Sequence, residues 1–303
     1  MTSLRSLAFA LALLPGVAGA QTLLGRADSI YTWHGALRSG ALLTIRNYNG
    51  PIDVRPAAGA DVELRAEKRT SRDGGRLTDV AFDVRSGESG DVTICSTFHD
   101  NDPCESERRW RDDDGDDSRR GVTVAMTVLV PRGARVRLVT GNGALSVERV
   151  GGEVQATTGN GRVRIAGTNG TIHVTTGNGD VDVQEATAPV RVTTGNGNVT
   201  VATAEGPVDA RSGNGDIDVR ISALRAREPM TFSTGSGSVH VRLPASYSGE
   251  LDASTGNGEM HTDFDLKLTG RMNPHRIHAT IGEGGPLLRL STGNGGLEIS
   301  KTP

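Results

Sequence analysis

The sequence is short of what a conventional globular core is made from. Aromatic residues are 3% of its 303 positions: five Phe, three Tyr and two Trp. Large rings supply much of the area a compact core buries, so their scarcity disfavours one. Charge of one sign is also missing. Lys and Arg number 33 against 36 Asp and Glu, a net charge of −3. No basic field exists to collect nucleic acid, so that class of partner is set aside. Cysteine occurs only at Cys95 and Cys104, and neither sits in a catalytic-thiol motif. Long apolar runs are absent after the first twenty residues, and spanning a bilayer by helix takes about 20 such residues. The sequence therefore predicts no transmembrane segment in the mature chain.

The first twenty residues read as a secretory leader. Arg5 supplies a short positive region, Leu7 to Leu14 an apolar stretch, and Ala18-Gly19-Ala20 a small-residue cleavage site, so maturation is expected to expose Gln21. No Cys follows that site to accept a lipid. The chain is expected to be exported, to the periplasm or to the extracellular space or cell surface. In that compartment the default for Cys95 and Cys104 is a disulfide closing a small loop.

What the sequence does have is glycine, 41 residues of it, and a repeat. Thr-Gly-Asn-Gly begins at Thr140, Thr158, Thr176 and Thr194, and Ser212-Gly213-Asn214-Gly215 continues the series at the same 18-residue step. Further copies start at Thr234, Thr255 and Thr292 with wider spacing. The apolar residues keep register with the repeat. One column runs Val136, Val154, Ile172, Val190, Val208, and another, after the glycines, runs Val147, Ile165, Val183, Val201, Val219. Each has an apolar companion two positions away, which is the alternation of a strand with one buried face. A unit of this length cannot bury its own apolar face and must stack on copies of itself. The expected fold is all-β, a parallel β-helix or solenoid with coils of about 18 residues and a capping N-terminal region.

Four segments follow: a leader at 1–20, an N-terminal cap at 21–42, a degenerate repeat region at 43–130 and a regular solenoid at 131–301. The stretch from Asn47 to Val54 has the strand, Asn-Gly, strand layout of one coil. Val122 to Val130 alternates and leads into the regular coils. Residues 262–286 form an insertion, after which Leu288, Leu290, Leu297 and Ile299 close the series.

The turn tetrapeptide gives the candidate site residues. Asn142, Asn160, Asn178, Asn196, Asn214, Asn257 and Asn294 are expected to stack as a structural ladder. Glycine takes positive φ freely and asparagine tolerates it, and stacked amides can bond from coil to coil. The functional alternative is a row of carbohydrate or ion ligands along one edge. The insert at 95–120 carries Asp112 to Asp117 without the ligand alternation of a calcium-binding loop, and a solvated loop is the expectation there. No catalytic, cofactor-binding or metal-ligating set is assigned. His173, His240, His261, His275 and His278 show no metal-ligand spacing.

The opening unit at Asn47 to Val54, followed by serial Thr-Gly-Asn-Gly-x-Val/Ile-x-Val units, resembles an adhesin-like family of exported bacterial β-repeat proteins, a domain of unknown function. The likeness spans about residues 41–301. It implies a parallel β-helix and a surface or adhesive role, and brings no catalytic residues with it. The leading function is thus a non-enzymatic module that binds a surface, a glycan or a protein. The alternatives are a polysaccharide-acting enzyme using Asp180, Asp182, Asp216 or Asp218 with Arg162, Arg164 or Arg220, ice binding through Thr157, Thr175 and Thr193, and an envelope regulatory partner.

Overall fold

The computed structural model describes residues 28–70, 75–98, 104, 121–224, 228–269, 273 and 275–302. The leader and most of the insert at 95–120 lie outside the described residues. The strands are, at the N-terminal end, β1 (Ile30–Ala36), β2 (Leu42–Asn49), β3 (Ile52–Pro56), β4 (Asp61–Thr70), β5 (Ala81–Ser86), β6 (Val92–Thr97) and β7 (Val122–Val130). The middle holds β8 (Arg135–Asn142), β9 (Leu145–Glu148), β10 (Val154–Asn160), β11 (Val163–Ala166), β12 (Ile172–Asn178), β13 (Val181–Ala186), β14 (Val190–Asn196), β15 (Val199–Thr203), β16 (Val208–Asn214) and β17 (Ile217–Ile221). Then follow β18 (Met230–Ser236), β19 (Val239–Pro244), β20 (Gly249–Asn257), β21 (Met260–Thr262), β22 (Leu266–Leu268), β23 (Arg276–Ile281), β24 (Leu287–Asn294) and β25 (Leu297–Thr302).

These strands form a flattened β-solenoid of two long sheets, with 13 and 12 strands. Each coil gives its first strand to one sheet and its second to the other. Coil stacks on coil with parallel, in-register pairing, as in Val154↔Ile172 and Asn160↔Asn178 or Val163↔Val181. The apolar columns read from the sequence are the core: Val136, Val154, Ile172, Val147, Ile165 and Val183 are all fully buried between the sheets. Each Val or Ile so placed contributes about 1.5–3 kcal/mol relative to exposure. The 18-residue period makes this additive, because every strand meets its own copy at each step.

The order of coils departs from the sequence reading at both ends. Coil β24–β25 does not close the stack. It lies between β18–β19 and β20–β21, so the coil nearest the C-terminus is the penultimate one, and the earlier coil at 249–262 is outermost. The N-terminal end repeats the arrangement. Coil β2–β3 sits directly against β8–β9, and β6 and β7 cover its other side. Thus β7 precedes β8 in the chain but does not stack on that coil.

Each inserted coil is paired on both sides in both sheets, and the coil at 249–262 takes the outer place instead. A terminal coil left outermost would expose unpaired backbone and fray. Antiparallel strands cover three of the four sheet ends: β5 on β6, β1 on β4, and β23 on β20 with β22 beyond it, while the parallel strand β21 is the fourth edge.

Candidate functional site

The Thr-Gly-Asn-Gly corner is built from three columns. Its first residue points inward. Thr140, Thr158, Thr176 and Thr194 are buried, and each hydroxyl donates to the carbonyl of a corner glycine one coil away: Thr140 to Gly50 at 3.1 Å, Thr158 to Gly143 at 3.0 Å, Thr176 to Gly161 at 3.3 Å and Thr194 to Gly179 at 3.2 Å. Ser212, Thr234, Thr292 and Thr255 continue the pattern. Asn47 takes the same position in coil β2–β3 and is fully buried. Its longer amide reaches both the Gly50 carbonyl at 3.0 Å and the Val124 carbonyl at 2.7 Å, and accepts from the Ser96 hydroxyl at 2.9 Å. This inner hydroxyl column was missed in the sequence. Its signal was the lone polar residue that continues each apolar alternation.

The asparagines form the second, outer column. Asn160 donates to Asn142 at 2.8 Å, Asn178 to Asn160 at 2.8 Å, Asn196 to Asn178 at 2.7 Å and Asn214 to Asn196 at 2.7 Å, always from Nδ2 to Oδ1. Ser236 interrupts the row. Asn294 and Asn257 then resume it in the order opposite to the chain, at 2.9 Å. Asn49 occupies the matching place in coil β2–β3. One expectation is overturned: no asparagine of the ladder has positive φ. Positive φ falls instead on the following glycine in most coils, at +156° in Gly179, +149° in Gly197 and +138° in Gly215, though not at Gly143 or Gly161. Strand geometry extends through the asparagine because its amide must face the next coil.

The outward faces carry the remaining polar residues. On the 13-stranded sheet one column runs Arg137, Gln155, His173, Arg191, Asp209, Thr231, Arg289, Asp252. Neighbours in it pair: Arg137 with Gln155 at 2.8 Å, Arg191 with Asp209 at 3.2 Å, and Arg289 with Asp252 at 3.3 Å. Thr157, Thr175 and Thr193 stand in the next column as a single file, ended by Val139 and Arg211. A shallow groove runs beside this face at the second bend, where Pro189, Pro207 and Pro229 stack next to His173, Arg191 and Asp209.

The four aspartates weighed for catalysis are spread over two columns, and each is engaged. Asp180 meets Arg162 at 3.2 Å and accepts the Asn198 N–H. Asp216 accepts the Ser238 N–H at 2.8 Å. Asp218 holds Arg242 at 2.9 Å, and Asp182 accepts from the Gln184 amide. Arg164 faces Asp182 in register, and Arg220 faces Arg242. Among the described residues no three His, Cys, Asp or Glu side chains gather as metal ligands, and no helix is long and apolar enough to cross a membrane.

Cys95 and Cys104 form a disulfide with Cα atoms 5.8 Å apart. Cys95 lies on β6, in register with Arg46 of β2 and through it with Val139, one position before the Thr-Gly-Asn-Gly corner of the stacked coils. The acidic run at Asp112 to Asp117 lies outside the described residues.

A family model described as Toastrack, DUF4097, matches residues 43–300. No curated protein matches the sequence. Two solved structures overlap it loosely. One is a candidate cell adhesion protein from Clostridium sporogenes, at 9% identity and a TM-score of 0.29, covering 90% of this chain and 100% of its own. The other is a candidate adhesin from Bacteroides fragilis, at 12% identity and a TM-score of 0.43, covering 91% of this chain and 99% of its own.

Proposed function

The chain belongs to the Toastrack family, and from that premise we propose that it is an exported, non-enzymatic interaction module that holds a repetitive surface, glycan or protein ligand against the outward face of its 13-stranded sheet. One observation carries the reading. The face presents the same side-chain positions at every coil step of about 4.8 Å, on strands paired in register coil to coil over a buried apolar core. Such a face suits a ligand that is itself extended and repetitive, because many weak contacts then act together. The exported location rests on the leader at 1–20, and the adhesive role on the likeness drawn from the repeat units.

The test is a glycan and matrix-protein array probed with the mature chain and with Thr175→Arg. Thr175 is exposed on the face, so the substitution blocks the lattice without touching the core. Binding by the parent and loss in the variant, at equal melting temperature, supports the proposal. Release of new sugar ends from a bound polysaccharide would replace it with the enzymatic alternative.

A further inference from the structure

The sequence contains nine Asn-Gly pairs, at Asn49, Asn142, Asn160, Asn169, Asn178, Asn196, Asn214, Asn257 and Asn294. Asn-Gly is the pair most prone to spontaneous deamidation, because glycine leaves its own backbone nitrogen unhindered. That nitrogen attacks the Asn Cγ, a C–N bond forms, and the side-chain nitrogen leaves as ammonia. Water then opens the succinimide to aspartate or isoaspartate. No oxidant or cofactor is needed. The attacking nitrogen must, however, be free to lose its proton and turn toward Cγ.

In seven of the nine pairs it is tied down. The glycine N–H donates along the solenoid axis: Gly50 to the Asn142 carbonyl at 2.6 Å, Gly143 to Asn160 at 2.9 Å, Gly161 to Asn178 at 2.9 Å, Gly179 to Asn196 at 2.8 Å, Gly197 to Asn214 at 2.8 Å, Gly215 to Ser236 at 2.8 Å and Gly295 to Asn257 at 2.8 Å. Among the described residues, Gly170 and Gly258 have no such acceptor. The causes differ. Gly258 lies in the outermost coil, with no further coil to receive its N–H. Gly170 lies in the second bend, away from the stacked Thr-Gly-Asn-Gly corner where the other glycine N–H groups find an acceptor one coil on. Both asparagines are exposed to water, and the Thr187 hydroxyl donates to the Asn169 Oδ1 at 3.3 Å, which polarises the amide under attack.

We infer that Asn169 and Asn257 are the deamidation sites of the folded protein, and that stacking protects the other seven. Conversion places a new carboxylate at each site. At Asn257 it also deletes the amide donor to Asn294 and loosens the outermost coil.

The experiment is peptide mapping by mass spectrometry of the full chain after timed incubation at mildly alkaline pH, folded and in denaturant. In the folded protein Asn169 and Asn257 should convert at least about tenfold faster than any of the seven, which must first open locally. In denaturant all nine should converge. Asn257→Ser should remove its own signal and leave that of Asn169 unchanged. Equal rates at all nine in the folded state, or faster conversion at any of the seven, would overturn the inference.

Discussion

The Nδ2 of Asn257 donates to the Oδ1 of Asn294 at 2.9 Å across 37 positions of sequence, and the residue earlier in the chain is the one further out in the stack. This inversion places the coil nearest the C-terminus between two others. A matching inversion holds coil β2–β3 at the opposite end. Each insertion is paired on both sides, so neither coil can peel away without breaking two ladders in each sheet.

The first prediction concerns this lock. Leu290 is fully buried and faces Phe232 on one side and Ala253 on the other. Leu290→Ala should cost about 2–5 kcal/mol. Hydrogen exchange should accelerate in both 230–244 and 249–262, because the inserted coil supports each. Acceleration in 249–262 alone would mean that the outer coil frays independently.

The second prediction tests register. Val183 is fully buried, and an aspartate there should cost several kcal/mol through an unpaired buried charge. Thr200 points outward, and from the strand pattern alone an aspartate there would be silent. The structure changes that expectation. Thr200 lies in register between Asp182 and Asp218, so Thr200→Asp stacks three carboxylates on adjacent strands and should cost about 1 kcal/mol. Added salt should recover much of it. Thr200→Arg, placed between the same two acids, should leave the melting temperature equal or higher. Equal losses for Val183→Asp and Thr200→Asp would refute the register.

Legibility in the sequence followed the repeat. Where the 18-residue period is intact, a residue's column, face and burial could be read directly, as for Val154, Ile172 and Val190. Where the period breaks, stacking order was hidden. The outward coil at 249–262 and the inserted coil at 287–302 carry the same Thr-Gly-Asn-Gly unit, and identical units contain no information about which lies on which. The choice is made by unpaired edges and by single pairs such as Ser291 with Ser233 at 2.9 Å and His240 with Glu298 at 3.0 Å. The asparagine ladder was legible as a column. Its backbone was not, because Asn and Gly share a preference for positive φ and the sequence does not say which of them takes it.

The third prediction follows from that division of labour. Gly179 has φ of +156°, and a Cβ there would collide with the Gly161 backbone. Gly179→Ala should therefore be strongly destabilising. Asn178 has ordinary strand geometry and two amide bonds to its neighbours. Asn178→Ala should cost about 1 kcal/mol. Asn178→Gly should be worse than Ala, since glycine adds backbone entropy without relieving any strain. Thermal melts of the three variants rank them, and a glycine variant milder than alanine would put the positive φ back on Asn178.

The last prediction concerns acid. Asp91, Leu42, Arg135 and Glu153 occupy one column through four successive coils, spanning the inserted coil β2–β3. Asp91 accepts the Leu42 N–H at 2.7 Å and the Ser89 hydroxyl at 2.8 Å, and these bonds hold its carboxyl below the usual carboxylate range. Glu153 is lowered first by the Gln155 amide at 2.6 Å and then by Arg135 at 3.0 Å. A carboxylate whose folded pKa is depressed contributes stability that is complete above its unfolded pKa, about 3.9 for Asp and 4.3 for Glu. That contribution is lost as pH falls through the folded value. The melting temperature should hold from neutral pH to about pH 5 and decline below about pH 4. Asp91→Asn with Glu153→Gln should begin lower at pH 7 and decline more shallowly in acid, so that the two curves approach one another. Parallel curves would show that this column does not clip the inserted coil in place.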